Sequence, residues 1–141
     1  MKANEIQIGD WLYSIIDRYE HIEKKLCKIT GIRTDSDIPL IQCDDTDVWY
    51  SLESYEPVLL TAEILENNGF EKALQVSDTE PFDTDEEGNK HYSYNKTFWG
   101  WFQPDNIFCI PANGMGWLYI KYVHQLQHAL KLCGIEKEIE L

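Results

Sequence analysis

Short runs of alternating apolar and polar residues dominate the N-terminal part of the chain. Ile6-Gln7-Ile8-Gly9-Asp10-Trp11-Leu12-Tyr13 reads as a brief extended piece, a Gly-Asp turn and then a strand. Residues 24–33 follow, with Cys27, Ile29 and Gly31 on one face and charged side chains mostly on the other. Two further extended runs, 38–43 and 48–52, are separated by Asp44, Asp45 and Asp47; in the second, Val48, Tyr50 and Leu52 alternate with Trp49, Ser51 and Glu53. Pro57-Val58-Leu59-Leu60 is the last of the group. Short strands at such close spacing predict a small, strongly curved barrel, and the early Gly-Asp-Trp turn points to an SH3-like one.

The pattern changes at Thr61. That residue is a good helix N-cap, Glu63 complements the positive end of the helix, and Leu60 with Leu65 has the spacing of a hydrophobic staple. Gly69 stops the helix, which is predicted over 61–69. A strand over 71–77, an acidic loop over 78–89 and strand-like runs at 91–102, 107–110 and 117–120 come next. A second helix is predicted over 121–133, closed by Gly134, and the alternating tail 136–141 would add an edge strand. The expected fold class is α+β: a barrel-like unit over 1–60 and a helix–antiparallel sheet–helix unit over 61–141, packed as one body.

Charge narrows the function. Asp and Glu total 25 against 12 Lys and Arg, a net charge of −13, which repels phosphate backbones and anionic lipid headgroups. No basic run offsets this, so direct nucleic-acid binding and membrane attachment are not expected. There is no signal-peptide pattern at the N-terminus and no apolar run of membrane-spanning length, which makes the cytoplasm the expected compartment. Cys27, Cys43, Cys109 and Cys133 show neither a C-x-x-C pair nor zinc-ribbon spacing, and are expected as free, mostly buried thiols.

Three blocks recur together in one known family. They are Asn4-Glu5-Ile6-Gln7-Ile8-Gly9-Asp10-Trp11, then Glu56-Pro57-Val58-Leu59-Leu60-Thr61-Ala62-Glu63-Ile64-Leu65-Glu66-Asn67-Asn68-Gly69-Phe70, and Tyr122-Val123-His124-Gln125-Leu126-Gln127. In sequence and order they resemble a family of short proteins of Bacteroides-type gut bacteria, often associated with prophages or other mobile elements. The chain departs from the family pattern at His128-Ala129-Leu130, where relatives continue with Asn and aromatics. The resemblance implies a phage or mobile-element setting and brings no activity with it.

Three motifs remain as candidates for chemistry. His124 and His128 stand four apart, as in the zinc-protease pattern H-E-x-x-H, but the glutamate that would take a proton from metal-bound water is Gln125. On the helical wheel Tyr122, Val123, Leu126, Ala129, Leu130 and Cys133 form the apolar stripe and the two histidines fall on the polar side near Lys131. Asp83, Asp85 and Gly88 match the start of a calcium-binding EF-hand loop, although Tyr94 stands where the bidentate glutamate belongs, and a solvated hairpin loop explains the segment more simply. In Phe98-Trp99-Gly100-Trp101-Phe102 the phenylalanines share one face and the tryptophans the other, with Trp117 downstream. A half-exposed sheet does not need bulky aromatics on both faces, so the Trp99, Trp101 and Trp117 side is the candidate interaction surface.

No phosphate-binding glycine loop and no nucleophile elbow occurs. The expected function is a non-enzymatic protein-binding or adaptor module with a protein partner and no cofactor. The alternatives are a metal-dependent hydrolase using His124 and His128, and an acidic mimic of nucleic acid.

Overall fold

The turn expected at Gly9-Asp10 is present, and Asp10 itself holds it. Gly9 takes a left-handed φ of 94°, and the buried Asp10 carboxylate accepts the Gln7 N–H at 2.7 Å. These features come from a computed structural model that describes residues 1–19, 21–72, 88–95, 97–112 and 116–141. From the turn the chain enters β1 (Trp11–Arg18), passes through Tyr19 and returns as β2 (His21–Arg33), in register from Trp11↔Lys28 to Arg18↔His21. Next come β3 (Leu40–Cys43), β4 (Tyr50–Ser51), a 3-10 turn at Leu52–Ser54, and β5 (Tyr55–Pro57). The strand order is β4-β3-β2-β1-β5, every pairing antiparallel. This curled sheet lies within the first of two units, Met1–Val58, around a core that includes Leu12, Cys27, Ile29, Ile41, Cys43, Leu52 and Tyr55.

Two details of the alternating pattern differ from expectation. A bulge shifts the β2–β3 register between Ile29 and Gly31, which swaps the faces beyond it. Ile32, not Gly31, then packs on the core, and Gly31 is buried beneath the Trp49 ring. Likewise Val48 and Tyr50 are exposed while Leu52 is buried, because the strand ends at Ser51 and the 3-10 turn redirects Leu52 inward.

The second unit, Leu59–Leu141, begins with the predicted helix. Thr61 Oγ1 accepts the Ile64 N–H at 3.2 Å, α1 runs Ala62–Asn67, and Gly69 ends it at φ 84°. The sheet comprises β6 (Glu71–Lys72), β7 (Lys90–Tyr94), β8 (Phe98–Phe102), β9 (Phe108–Ala112) and β10 (Gly116–Ile120), in the order β10-β9-β8-β7-β6. The run predicted over 91–102 is thus a hairpin, broken where Asn95 adopts φ 51°. Helix α2 (Val123–Leu132) closes the chain's ordered elements, with Gly134 at φ 73° and Ile135 N–H returning to the Leu130 carbonyl at 2.9 Å. Tyr92, Phe98, Phe102, Phe108, Ile110 and Ile120 from the sheet, with Val123, Leu126 and Leu130 from α2, supply the second core.

The tail does not pair as a strand. Two buried amides clamp it instead. Gln127 donates to the Lys137 carbonyl and accepts from the Ile139 N–H, both at 2.7 Å. Asn68 donates to the carbonyls of Ile64 and Glu140, at 2.8 and 2.9 Å, and accepts the Glu140 N–H at 2.7 Å. Ile139 is thereby buried. Among the described residues the chain is mostly β, with two sheets and two helices, which fits the α+β class. Among the described residues no helix is long and apolar enough to cross a membrane. The calcium-loop candidates Asp83 and Asp85, most of the acidic loop, and the continuation of the predicted 71–77 strand lie outside the described residues.

Candidate functional site

Period-two alternation along β8 sends Phe98 and Phe102 into the core and leaves Trp99 and Trp101 on the opposite face. Antiparallel pairing then sets neighbours beside them: His91 lies opposite Trp101 and Ser93 opposite Trp99 on β7, and Cys109 opposite Trp101 on β9. On β10, Tyr119 lies opposite Cys109 and Trp117 opposite Pro111. The row His91–Trp101–Cys109–Tyr119 therefore crosses four strands on one face.

Trp101 is the hub of this face. Its ring stacks with His91 at 5.9 Å, meets Trp99 at 5.9 Å, and takes Trp117 edge-on at 4.9 Å between centroids. It is half-buried, whereas Trp99 and Trp117 remain 46% and 51% exposed. The small Cys109 thiol lies buried in the same row, and burial, with Asp105 adding to it, pushes that thiol up and makes it a poor nucleophile. Gly100 is required between the two tryptophans. A Cβ there would run into the Cys109 carbonyl oxygen and come within 2.8 Å of the Phe108 ring. Strand β10 forms one edge of the sheet, and Gly116 through Tyr119 are exposed on both of its faces. The result is an aromatic platform bordered by a strand edge.

The histidine pair is placed differently from the wheel's expectation. His124 is buried, 3% exposed, stacked on Tyr122 at 5.8 Å and edge-on to His128 at 5.8 Å, while Cys133 is exposed. The buried arc of α2 is wider than its apolar stripe: besides His124 it takes in Gln127, which the clamped tail covers. Gln125, in the position of the missing general base, caps the helix: its Oε1 accepts the N–H groups of Lys121 and Tyr122 at 2.9 and 3.1 Å. Among the described residues no third His, Cys, Asp or Glu joins the pair in a metal-sized group.

One such group does form, in the first unit, and sequence spacing gave no sign of it. Cys27 of β2 and Cys43 of β3 point into the same core, and with Asp45 their ligand atoms all lie within 4.8 Å of one another. Local bonding builds the arrangement. Asp44 N–H donates to the Lys28 carbonyl and Lys28 N–H to Asp44 Oδ1, both at 2.9 Å. Thr46 N–H returns to the Cys43 carbonyl at 3.2 Å, and this turn folds the Asp45 side chain back to the thiols. The neighbouring Cys27 thiol and Tyr55 hydroxyl, which themselves donate to the Leu12 and Ile41 carbonyls at 3.6 and 3.5 Å, hold the Cys43 thiol below its ordinary range, against the effect of burial. The Cys27 thiol donates to the Leu12 carbonyl at 3.6 Å, and the neighbouring Cys43 sulfur, then burial, push it up. Cys27 and Cys43 are free thiols, as expected. Comparison with family models, with curated proteins and with solved structures finds no match to the chain.

Proposed function

We propose that the protein is a non-enzymatic protein-binding or adaptor module that docks an extended, basic segment of a protein partner on the Trp99–Trp101–Trp117 face. The observation that carries this reading is the convergence of three tryptophans on one solvent-facing side of a sheet, two of them about half exposed. Tryptophans so placed are typical anchors of binding surfaces, because they offer large rigid area at small entropic cost. The adjoining β10 edge suits an extended segment added as a further strand, whose main-chain hydrogen bonds would supply affinity while the aromatic pockets read alternate side chains. A net charge of −13 favours a Lys- or Arg-bearing partner, and cations also sit well over indole faces.

The remainder of the reading concerns fold and setting. The order β4-β3-β2-β1-β5, with a 3-10 turn leading into the last strand, supports an SH3-like barrel for Met1–Val58. The phage or mobile-element setting rests on the resemblance of the three sequence blocks, and the cytoplasmic location on the N-terminal sequence pattern; the genes flanking this one test the setting, which a location outside any such element removes.

For the binding surface, a displayed library of random linear peptides is panned on the full chain. Enriched peptides should carry Lys or Arg among β-prone residues and should bind the Trp99→Ala/Trp117→Ala variant at least about tenfold more weakly. No enrichment, or equal binding by that variant, overturns the proposal.

A further inference from the structure

We propose that Cys27, Cys43 and Asp45 form a binding site for a single zinc ion in the first unit. This does not rest on the aromatic face of the second unit. Two sulfurs and a carboxylate oxygen mutually within 4.8 Å match the spread of ligands around one small four-coordinate ion. The donor set is selective: thiolates favour zinc or copper(I) over calcium or magnesium, and the hard carboxylate tips the balance toward zinc.

The surroundings supply what such a site needs beyond its ligands. Both cysteines sit on paired strands, so their positions are set before an ion arrives. Asp45 stands at the entrance: its side chain is 17% exposed and lies at the turn after β3, where the ion would enter from solvent. Binding releases the two thiol protons to water and leaves two thiolates and one carboxylate on Zn2+, a net single negative charge. The Lys25 ammonium, 3.9 Å from the Asp45 carboxylate, offsets that charge. Three protein ligands leave a fourth position for water.

The experiment uses the full chain, untagged and fully reduced, titrated with Co2+ as a spectroscopic probe and then with Zn2+. One equivalent of Co2+ should give the sulfur-to-cobalt charge-transfer band and the visible bands of four-coordinate cobalt, and Zn2+ should remove both. Cys27→Ser and Cys43→Ser should each abolish the charge-transfer band, and Cys109→Ser should leave it intact. Asp45→Ala, at a surface turn, keeps the test decisive if the cysteine variants fail to fold; it should weaken zinc binding at least about tenfold. Absence of the sulfur band in the wild type, its undiminished persistence in either serine variant, or unchanged affinity in Asp45→Ala overturns the site.

Discussion

The two five-stranded sheets have the same antiparallel character but place their reactive and aromatic side chains on opposite sides. In the first, Cys27 and Cys43 and the Tyr55 hydroxyl are turned into the core, and a bulge hides Gly31 beneath Trp49. In the second, the core side is almost wholly apolar, and the indoles of Trp99, Trp101 and Trp117 gather on the outer face around a single ring. A buried polar cluster suits the capture of something small, such as an ion. An exposed aromatic platform beside a strand edge suits something large. The contrast between inward and outward faces can be tested one residue at a time.

The largest effect is expected at Phe98, buried on the core side of β8 and edge-on to Phe70 at 6.1 Å. Phe98→Ala should lower unfolding free energy by about 3–5 kcal/mol, measured by urea denaturation. A loss below about 1 kcal/mol would mean that this face is not the core. Gly100→Ala comes next, because the added methyl meets backbone at the Cys109 carbonyl and a fully buried Phe108 ring, neither free to retreat. The expected cost is about 2–3 kcal/mol. Gly31→Ala offers the matching trial in the first sheet. Its methyl meets only the Trp49 ring, at 2.6 Å, and that half-buried ring can swing outward. It should cost about 1 kcal/mol, the lower end of the overpacking range; equal costs at the two glycines would erase the contrast.

A second pair of variants tests the clamp on the tail. Gln127→Ala and Asn68→Ala each leave tail backbone groups without their buried partners, and each should cost about 1–3 kcal/mol. Amide hydrogen exchange at Ile139 should accelerate in Gln127→Ala, since its N–H bonds to that side chain. Unchanged exchange there would show that the Gln127 bond is not what protects that amide.

What could be read from the sequence was local. Thr61, Gly69, Gly134 and the Gly9-Asp10 turn act within a few residues, and all four do what their chemistry predicts. The facing of Trp99 and Trp101 was also legible, because period two within one strand fixes it. The features that escaped depend on pairing between distant segments. Cys27 and Cys43 are 16 positions apart, and only the β2–β3 pairing and the turn at Asp44 bring them together with Asp45. The bulge at Gly31 is a register event, invisible to alternation along either strand alone. The Asn68 clamp joins residues 72 positions apart and replaces the strand pairing that the tail's alternation suggests. The wheel misplaced His124 for a related reason: a helix's own polarity does not reveal a flank covered by another segment.

The smallest stability effect is expected one residue from the largest. Trp99→Ala removes an indole that is 46% exposed and touches Trp101 with its ring tilted at 5.9 Å. The neighbouring Trp101 keeps its contacts with His91 and Trp117. The expected change is within about 0.5 kcal/mol, the ordinary range for surface substitutions. Phe98 and Trp99 share a strand and a local backbone, so propensity differences are small and the two measurements isolate the face. A cost at Trp99 approaching that at Phe98 would mean the outer face is already covered within the folded protein and is not available to a partner. A near-zero cost together with lost peptide binding would separate the residue's role in recognition from its role in folding.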